Sequence, residues 1–293
     1  MRTFYPDFAP DFRCRAGQCA HSCCKGWEID VDEDTLSLYD SVPGPFGDAL
    51  RAGIHRDSDG AHFCLTQEER CPFLRSDGLC EIILRLGEDA LCDICALHPR
   101  FYGELGELCL EGLGLSCEAV CALLLERSEP LRFVEEGGGA VLEFPALAAL
   151  TGLELPEGAF SFEPTLTPDY YEALLRLFSE TEPIDRRWTE ELAALQKALP
   201  VALEKAGQLA RRCDYGRYDR ILQVLLYRQL ENAPAWGASV LLAYGKVCAD
   251  FVFLTHAWTG DGAEALRRFS EQIEYSTENV EIIRKGALQC FDP

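Results

Sequence analysis

Apolar residues recur at helical spacing through the C-terminal part of the chain, from residue 167 onward. Leu222, Leu225 and Leu226, for example, share one face of a helix, although Gln229 interrupts that face further along. Residues of this kind bury one side of a helix against its neighbours. The pattern predicts helices over residues 168–180, 184–199, 201–212, 217–232, 237–258, 263–275 and 278–288.

Residues at the predicted helix ends support this division. Thr167, Thr181 and Thr277 stand where N-cap residues are expected, because a threonine hydroxyl can accept a hydrogen bond from a free backbone N–H of the first turn. Pro168 follows the first of them at the favoured first helical position. Prolines also separate several of the segments, at Pro183, Pro200 and Pro234.

The N-terminal part is rich in turn residues and predicts only short elements. Helices are expected over 32–41, 80–91 and 116–128, with Asp32 or Asp34 capping the first and Ser116 the last. Short strands are expected over 61–65 and 107–112. So little regular structure buries too little apolar surface on its own, and metal ligation would supply the missing cross-links.

Residues 129–166 form a predicted connector, in which the run Glu135-Glu136-Gly137-Gly138-Gly139 predicts a loop or a hairpin tip. The run lacks the spacing of a nucleotide-binding turn. The expected organisation is therefore a cysteine-rich region over 1–128, the connector over 129–166 and a helical domain over 167–293. The expected fold class is mainly α, with an irregular cysteine-rich metal-binding N-terminal region packed on a C-terminal helical bundle.

Composition and charge restrict the classes of function. Apolar residues make up 48% and charged residues 26%, as in a soluble globular protein. The net charge of −22 argues against nucleic-acid binding, which needs a basic surface, and is compatible with a cationic partner such as a lysine-bearing protein. The first residues show no signal peptide, and the most apolar stretch, 235–258, is interrupted by Lys246 and Asp250. We therefore expect a cytoplasmic protein without a membrane span.

Fifteen cysteines are far above the usual share, and twelve of them lie between Cys14 and Cys121. Without a secretion signal, this density predicts metal binding rather than a disulfide framework. The adjacent pair Cys23-Cys24 agrees, since neighbouring cysteines rarely bridge to each other without strain. Thiolates are soft ligands that suit zinc, copper(I) or iron–sulfur clusters.

The spacing of the cysteines favours iron–sulfur over zinc without excluding zinc. Structural zinc sites usually show paired C-x2-C motifs, and only Cys92 and Cys95 have that spacing. The loop of radical S-adenosylmethionine enzymes, C-x3-C-x2-C, is absent from the sequence. His21 and His98 are interpreted as structural residues near the site. Six cysteines are interpreted as buried apolar residues, namely Cys64, Cys109, Cys121, Cys213, Cys248 and Cys290.

At the cysteine motifs the chain resembles the flagellin lysine-N-methylase family. The resemblance rests on Phe12-x-Cys14, on Cys19-x3-Cys23-Cys24-x-Gly26-Trp27, on Cys71-Pro72-Phe73-Leu74 with Gly78-Leu79-Cys80, on Cys95 before Pro99-Arg100, and on Leu115-Ser116-Cys117. In the helical part, Leu226-Tyr227-Arg228 and Glu274-x-Ser276-x2-Asn279 belong to it as well. Here Cys92 and Cys121 stand where the family has other residues, and His98 replaces an aromatic residue.

The resemblance implies transfer of a methyl group from S-adenosylmethionine to lysine side chains of flagellin, with a four-iron, four-sulfur cluster (4Fe-4S) required. Matched residue by residue, it implies eight cysteine ligands for one or two metal sites, namely Cys14, Cys19, Cys23, Cys24, Cys71, Cys80, Cys95 and Cys117.

In the helical part, Glu274 and Tyr275 are the predicted catalytic residues, which would steer and desolvate the lysine ammonium. Arg228, Asn279 and Trp27 are the predicted cofactor-binding residues, with Arg228 holding a carboxylate. Helix-face charge pairing is the alternative explanation of these polar residues. For the whole chain, the alternative function is an iron–sulfur or zinc-binding protein in electron transfer or protein interaction, without methyltransferase activity.

Overall fold

The computed structural model describes residues 1–58, 60–156, 158–212 and 214–290, so that Cys213 lies outside the described residues. The chain divides into two compact units. Unit 1 comprises Met1–Phe12 and Phe101–Pro293, and unit 2 comprises Arg13–Arg100. These units differ in extent from the expected division at residues 128 and 166. The predicted class, mainly α, is confirmed.

The described helices are α1 (Glu33–Ser41), α2 (Gly44–Ala52), α3 (Glu81–Leu86), α4 (Asp93–Leu97), α5 (Glu118–Glu126), α6 (Phe144–Leu150), α7 (Pro168–Ser179), α8 (Arg186–Lys197), α9 (Leu199–Ala210), α10 (Tyr215–Arg228), α11 (Ala233–Trp236), α12 (Ala238–Thr259), α13 (Gly262–Ile273) and α14 (Thr277–Ala287). The described strands are β1 (Arg2–Pro6), β2 (Ile54–Arg56), β3 (Ala61–Phe63), β4 (Arg100–Leu105), β5 (Leu108–Leu113), β6 (Phe133–Glu135) and β7 (Val141–Leu142).

Helices α7 to α10 and α12 to α14 of unit 1 confirm the helical periodicity read from the sequence, with ends shifted by a few residues. Several predicted caps are wrong. Ser276, not Thr277, caps α14 by accepting a hydrogen bond from the Asn279 amide. Thr181 instead donates both its hydroxyl and its backbone N–H to the Phe178 carbonyl at the end of α7.

Two further caps differ from the expected residues. Cys117, one residue beyond the predicted Ser116, is the N-cap of α5 and makes no side-chain capping hydrogen bond. Asp185 caps α8, since its carboxylate accepts from the Trp188 amide. In unit 2, Asp32 caps α1 as predicted, by accepting from the Thr35 amide.

Helix α12 forms the centre of unit 1 because it is apolar on nearly every face. Its middle turns are buried, and neighbouring helices α9, α10, α13 and α14 pack around it. By length and composition it is the one described helix long and apolar enough to cross a membrane, but 67% of its most apolar window is buried inside the protein. That degree of burial is typical of a core helix.

A five-stranded sheet in unit 1 is the largest feature that sequence analysis missed, although the strand predicted over 107–112 is confirmed as β5. Its order is β4-β5-β1-β6-β7, and β1 runs parallel to β5 and antiparallel to β6. Strands β6 and β7 lie in the region interpreted as a connector and form an antiparallel hairpin. The glycine-rich run is its tip, as predicted, because Gly137 and Gly138 adopt positive φ angles of 81° and 83°.

Unit 2 consists of short helices and the hairpin β2–β3 around a small apolar core of its own. The predicted helix over 80–91 is interrupted, because Gly87 adopts a φ of 94° and ends α3. A single turn of 3-10 helix, Glu88–Ala90, follows before α4. The Tyr39 hydroxyl donates to the Ala90 carbonyl at 2.7 Å, which ties α1 to this turn.

Removal of the Asp185 carboxylate tests how α8 is held. Both carboxylate oxygens accept hydrogen bonds from Arg268 at 2.9 Å, and this contact lowers the pKa of Asp185. We expect Asp185→Ala to lower the free energy of unfolding by about 1–2 kcal/mol at pH 7. A carboxyl group whose pKa is lower in the folded state stabilises the fold at any pH above its unfolded-state pKa. This stabilisation is lost as the pH falls through the folded-state pKa. The difference between wild type and variant should therefore shrink below about pH 4 in urea titrations.

Glu190→Ala is the matched control for Asp185→Ala, since Glu190 pairs with Arg186 on an exposed helix face. It should change the free energy of unfolding by less than about 0.5 kcal/mol at either pH. An Asp185→Ala effect that stayed constant down to pH 3 would contradict the assigned role of the carboxylate.

Candidate functional site

Five cysteines come together at the apolar core of unit 2. Cys71 and Cys92 are buried in that core, and Cys24, Cys80 and Cys95 pack against it half-buried. Local structure brings them there, since the Cys71 amide donates to the Cys24 carbonyl at 2.9 Å. Cys80 and Cys92 are the N-cap residues of α3 and α4. Within the described residues, none of the five is in a disulfide. We call them the thiol cluster.

The thiols of this cluster influence one another electrostatically. Burial, with smaller contributions from the charges of Cys24, Cys80 and Cys92, raises the pKa of Cys71 to about 12. The Cys95 thiol donates to the Cys92 sulfur, which raises the pKa of Cys95 and lowers that of Cys92. Several thiolates this close together and shielded from water repel each other.

The donor set fits a soft metal by its chemistry. A bound cation would reverse the repulsion between thiolates and favour their deprotonated form. Among the described residues, however, no group of three or more His, Cys, Asp or Glu side chains is arranged to hold a metal ion. The structure brings the sulfurs together in hydrogen-bonded pairs, Cys92 with Cys95 and Cys23 with Cys24. Metal binding therefore stays a prediction.

The other four predicted ligands are not members of the thiol cluster. Cys14 is exposed, and its sulfur accepts a hydrogen bond from the Ala16 amide at 3.3 Å. Cys19 is half-buried and Cys23 is exposed. Cys117 belongs to unit 1, next to the buried Cys121. Of the eight predicted ligands, the thiol cluster thus contains four: Cys24, Cys71, Cys80 and Cys95.

Cys92 is the member of the cluster that sequence analysis set aside. It was excluded because the resembled family has another residue at its position. The signal that would have included it is its C-x2-C spacing with Cys95, which places both sulfurs at the start of one helix.

Arg228, at the end of α10, forms the centre of a second candidate site, in unit 1. Its guanidinium lies over two aromatic rings, 4.6 Å from the ring centre of Phe101 and 4.7 Å from that of the half-exposed Tyr275. Its Nη2 donates to the Glu274 carbonyl at 3.1 Å, and its Nε lies 3.6 Å from Glu274 Oε1. Phe101 and Tyr275 are thus the walls of this site, and Glu274 faces the arginine.

Glu274 is the most deeply buried charged group of this site, with a side chain only 1% exposed. Its Oε2 is buried without a hydrogen-bond partner, and so are Arg228 Nη1 and Ser270 Oγ, one turn earlier on α13. Buried polar atoms without partners are rare, and each requires an explanation. In unit 1 the structure therefore places Arg228, Glu274 and Tyr275 together, while their predicted catalytic and cofactor-binding roles stay predictions. We call Arg228, Glu274, Phe101 and Tyr275 the arginine site.

Asn279 and Trp27 have structural contacts of their own. The Asn279 amide is engaged on both sides, since its Nδ2 donates to the Glu182 and Gln272 carbonyls and its Oδ1 accepts from the Glu182 amide. Asn279 therefore holds the loop after α7. Trp27 belongs to unit 2, where its Nε1 donates to the Cys23 carbonyl at 2.8 Å. Their predicted contact with a cofactor stays a prediction.

Gly112 of β5 positions one wall of the arginine site. A Cβ atom at this residue would lie 2.2 Å from Phe101 Cζ, so the phenylalanine ring packs directly against the glycine backbone. We expect Gly112→Ala to displace the Phe101 ring from the Arg228 guanidinium and to lower the free energy of unfolding by about 1–3 kcal/mol. Chemical denaturation measures this loss.

Gly207→Ala is the matched control for Gly112→Ala, because a Cβ at Gly207 in α9 meets only the end of the Arg211 side chain at 3.8 Å. In a helix, alanine is favoured over glycine, so this variant should gain about 0.5–1 kcal/mol. If both variants had the same stability, the close packing of Phe101 on Gly112 would be contradicted.

The arginine site in unit 1 carries groups that can bind charged ligands. A guanidinium held by two rings presents a donor to a carboxylate, and a desolvated carboxylate presents an acceptor to an ammonium group. Burial also raises the pKa of the neighbouring Tyr244 well above its ordinary value, and the charges of Cys248 and Glu274 add to this effect. Tyr244 therefore remains neutral. The site is thus suited to binding charged groups of both signs.

Comparison with known proteins gives partial matches. Over 141 residues, 45% of the chain, the sequence is 27% identical to the flagellar biosynthetic protein FliU of Salmonella muenchen, of which 81% is covered. Over 145 residues, again 45% of the chain, it is 27% identical to a lysine-N-methylase of Salmonella choleraesuis and 26% identical to one of Salmonella typhimurium.

The match spans 34% of the length of each lysine-N-methylase, about a third. No protein-family model matches the chain, and no solved structure matches it. Over a little less than half of its length, the chain is therefore similar to proteins named for lysine methylation and flagellar biosynthesis.

Proposed function

We propose that this protein transfers a methyl group from S-adenosylmethionine to lysine side chains of a protein substrate, with flagellin as the first substrate to test. Two relatives named lysine-N-methylase support the reaction, and the name of a third refers to flagellar biosynthesis. The observation that carries the proposal in this chain is the arginine site, where a buried carboxylate and a stacked guanidinium each have an unfilled polar atom.

The proposed reaction makes modest demands on the protein. The sulfonium of S-adenosylmethionine supplies an activated methyl group, and a neutral lysine amine is already a nucleophile. The protein must hold the two in line and lower the pKa of the lysine by desolvation. In this proposal Arg228 binds a carboxylate, Glu274 accepts a hydrogen bond from an ammonium group, and Tyr275 shields both from water.

We further propose that the thiol cluster holds an iron–sulfur cluster, with additional ligands from the other predicted cysteines. The chemistry of the donor set supports this part, because buried thiolates require a compensating positive charge. The metal would cross-link unit 2, whose short elements bury a small core. Its contribution to catalysis would be indirect, by keeping the protein folded and the substrates bound.

A second candidate function is metal binding or electron transfer without methyl transfer. The thiol cluster favours it, because all five thiols lie within one compact unit. An electron carrier has no need of the arginine site in unit 1. Incubating anaerobically prepared protein with radiolabelled S-adenosylmethionine and flagellin distinguishes the two functions. Label on lysine supports methyl transfer, and unlabelled flagellin with metal fully bound supports the second function.

A further inference from the structure

We propose that the arginine site binds an α-amino-acid group, with its carboxylate on Arg228 and its ammonium on Glu274. On the proposed function, this group is the methionine end of S-adenosylmethionine, so the inference rests on that function for the identity of the ligand. It assigns Glu274 to the cofactor rather than to the lysine of the substrate. The assignment follows from which atoms of the two side chains are already engaged.

The hydrogen bonds and contacts of Arg228 leave its Nη1 to donate to a ligand. Nη2 is engaged by the Glu274 carbonyl and Nε faces Glu274 Oε1, whereas Nη1 is buried without a partner. A ligand carboxylate would accept from this donor. The guanidinium lies near the rings of Phe101 and Tyr275 and the Arg228 side chain is only 12% exposed, which strengthens a charge-assisted hydrogen bond at its edge.

The contacts of Glu274 leave its Oε2 to accept a hydrogen bond from a ligand. Oε1 faces Arg228, and Oε2 is buried without a partner. An ammonium group of the ligand would donate to Oε2. Ser270 Oγ, also buried without a partner one turn earlier on α13, is an additional acceptor from the same helix.

The balance of charge favours a ligand with both groups over a single charge. Arg228 and Glu274 together carry no net charge, and the α-amino-acid group carries none either. A lysine ammonium alone would fill Oε2 and leave Arg228 Nη1 without an acceptor. A carboxylate alone would leave Oε2 without a donor. An amino-acid group fills both atoms and adds no uncompensated charge to a buried site.

A second arginine–carboxylate pair in unit 1 shows what distinguishes this site. Arg127 donates to Asp7 at 2.8 Å, and this pair also has buried atoms without partners, Arg127 Nε and Asp7 Oδ1. The Asp7 side chain is 23% exposed and therefore accessible to water, and the Phe8 ring lies 5.9 Å from the Arg127 guanidinium. Within the described part of the chain no second ring is stacked on Arg127, which makes Arg127 the matched control.

The test compares two ligands that differ in the amino-acid group. S-adenosylhomocysteine carries this group, whereas 5′-methylthioadenosine lacks it. In calorimetric titrations of the full chain, we expect S-adenosylhomocysteine to bind at least about tenfold more tightly. Arg228→Met and Glu274→Gln should each remove most of this preference and leave 5′-methylthioadenosine binding unchanged. Arg127→Met should retain the preference.

Arg228→Lys provides a second variant if Arg228→Met does not fold. It keeps the charge and loses the planar set of donors, so it should weaken S-adenosylhomocysteine binding as well. The inference is overturned if wild type binds both ligands equally or neither, or if the site variants keep the wild-type preference. It is also overturned if Glu274→Gln changes only the KM for a lysine peptide.

Failure of the proposed function has a different signature. If S-adenosylhomocysteine is preferred through Arg228 and Glu274 but no lysine is ever labelled, the amino-acid site stands and lysine methylation is wrong. If lysine is labelled while both variants bind S-adenosylhomocysteine as wild type does, methylation stands and this site assignment is wrong.

Discussion

Replacing Cys71 by alanine is expected to remove most of the iron from anaerobically purified protein, together with its brown absorbance. Cys71 is buried in the core of unit 2, and the charges of three other cysteines act on it. In the proposed metal site, loss of one central thiolate would leave the metal incompletely ligated and unit 2 without that cross-link. The stability of unit 2 should fall on the order of 5 kcal/mol, part of the roughly 10–16 kcal/mol that structural zinc contributes to small domains.

Cys64→Ala is the control for this prediction, since Cys64 is an exposed thiol of the same unit and its interpretation as a buried apolar residue was wrong. It should retain iron, sulfide and the visible spectrum. Cys92→Ala should resemble Cys71→Ala, because Cys92 pairs with Cys95 in the thiol cluster. If the protein is colourless and contains stoichiometric zinc, the metal of this site is zinc and not iron. Protein without any bound metal under anaerobic conditions would contradict the proposed metal site.

Replacing Phe251 by alanine is expected to cause the largest loss of stability in unit 1, about 3–5 kcal/mol. Phe251 lies on the central helix α12 and is 2% exposed. Its ring stacks on Phe178 of α7 with a centroid distance of 3.9 Å, and Trp188 of α8 lies 5.4 Å away. The substitution removes contacts with both helices and leaves a cavity between them.

Urea titration followed by tryptophan fluorescence measures the effect of Phe251→Ala. Val201→Ala on the exposed face of α9 is the control and should change the free energy of unfolding by less than about 0.5 kcal/mol. A loss below about 1 kcal/mol for Phe251→Ala would contradict the close packing of α7 on α12.

Local patterns predicted the helices well because each helix satisfies its own backbone. The apolar spacing around Leu222 predicted α10, and Asp32 was identified as a cap from its position before α1. Strand β1 was missed because its partner β5 lies more than one hundred residues away, and pairing over that distance leaves no local signal. The caps at Ser276 and Asp185 were missed by one and four residues, since several polar residues near each helix start are chemically equivalent.

The candidate sites were predictable to different degrees. Cysteine density predicted a thiol site in the N-terminal part, and the structure brings four of the predicted cysteines together there. Cysteine density could not predict that Cys92 belongs to the thiol cluster, because the position of Cys92 depends on how α4 packs. Arg228 and Glu274 were identified through the family resemblance. Their mutual contact and their unfilled atoms depend on how α10 and α13 both pack on α12, which the apolar pattern alone does not encode.

The most direct test of the central claim is a methylation assay under anaerobic conditions. The chain, prepared with the proposed metal bound, is incubated with flagellin and with S-adenosylmethionine labelled in the methyl group. The flagellin is then digested and its peptides are sequenced by mass spectrometry. The account predicts N-methyl-lysine in flagellin, lost in the Arg228→Met variant and kept in Arg127→Met. Flagellin that stays unlabelled, with metal bound and S-adenosylmethionine shown to bind, would contradict methyl transfer to this substrate.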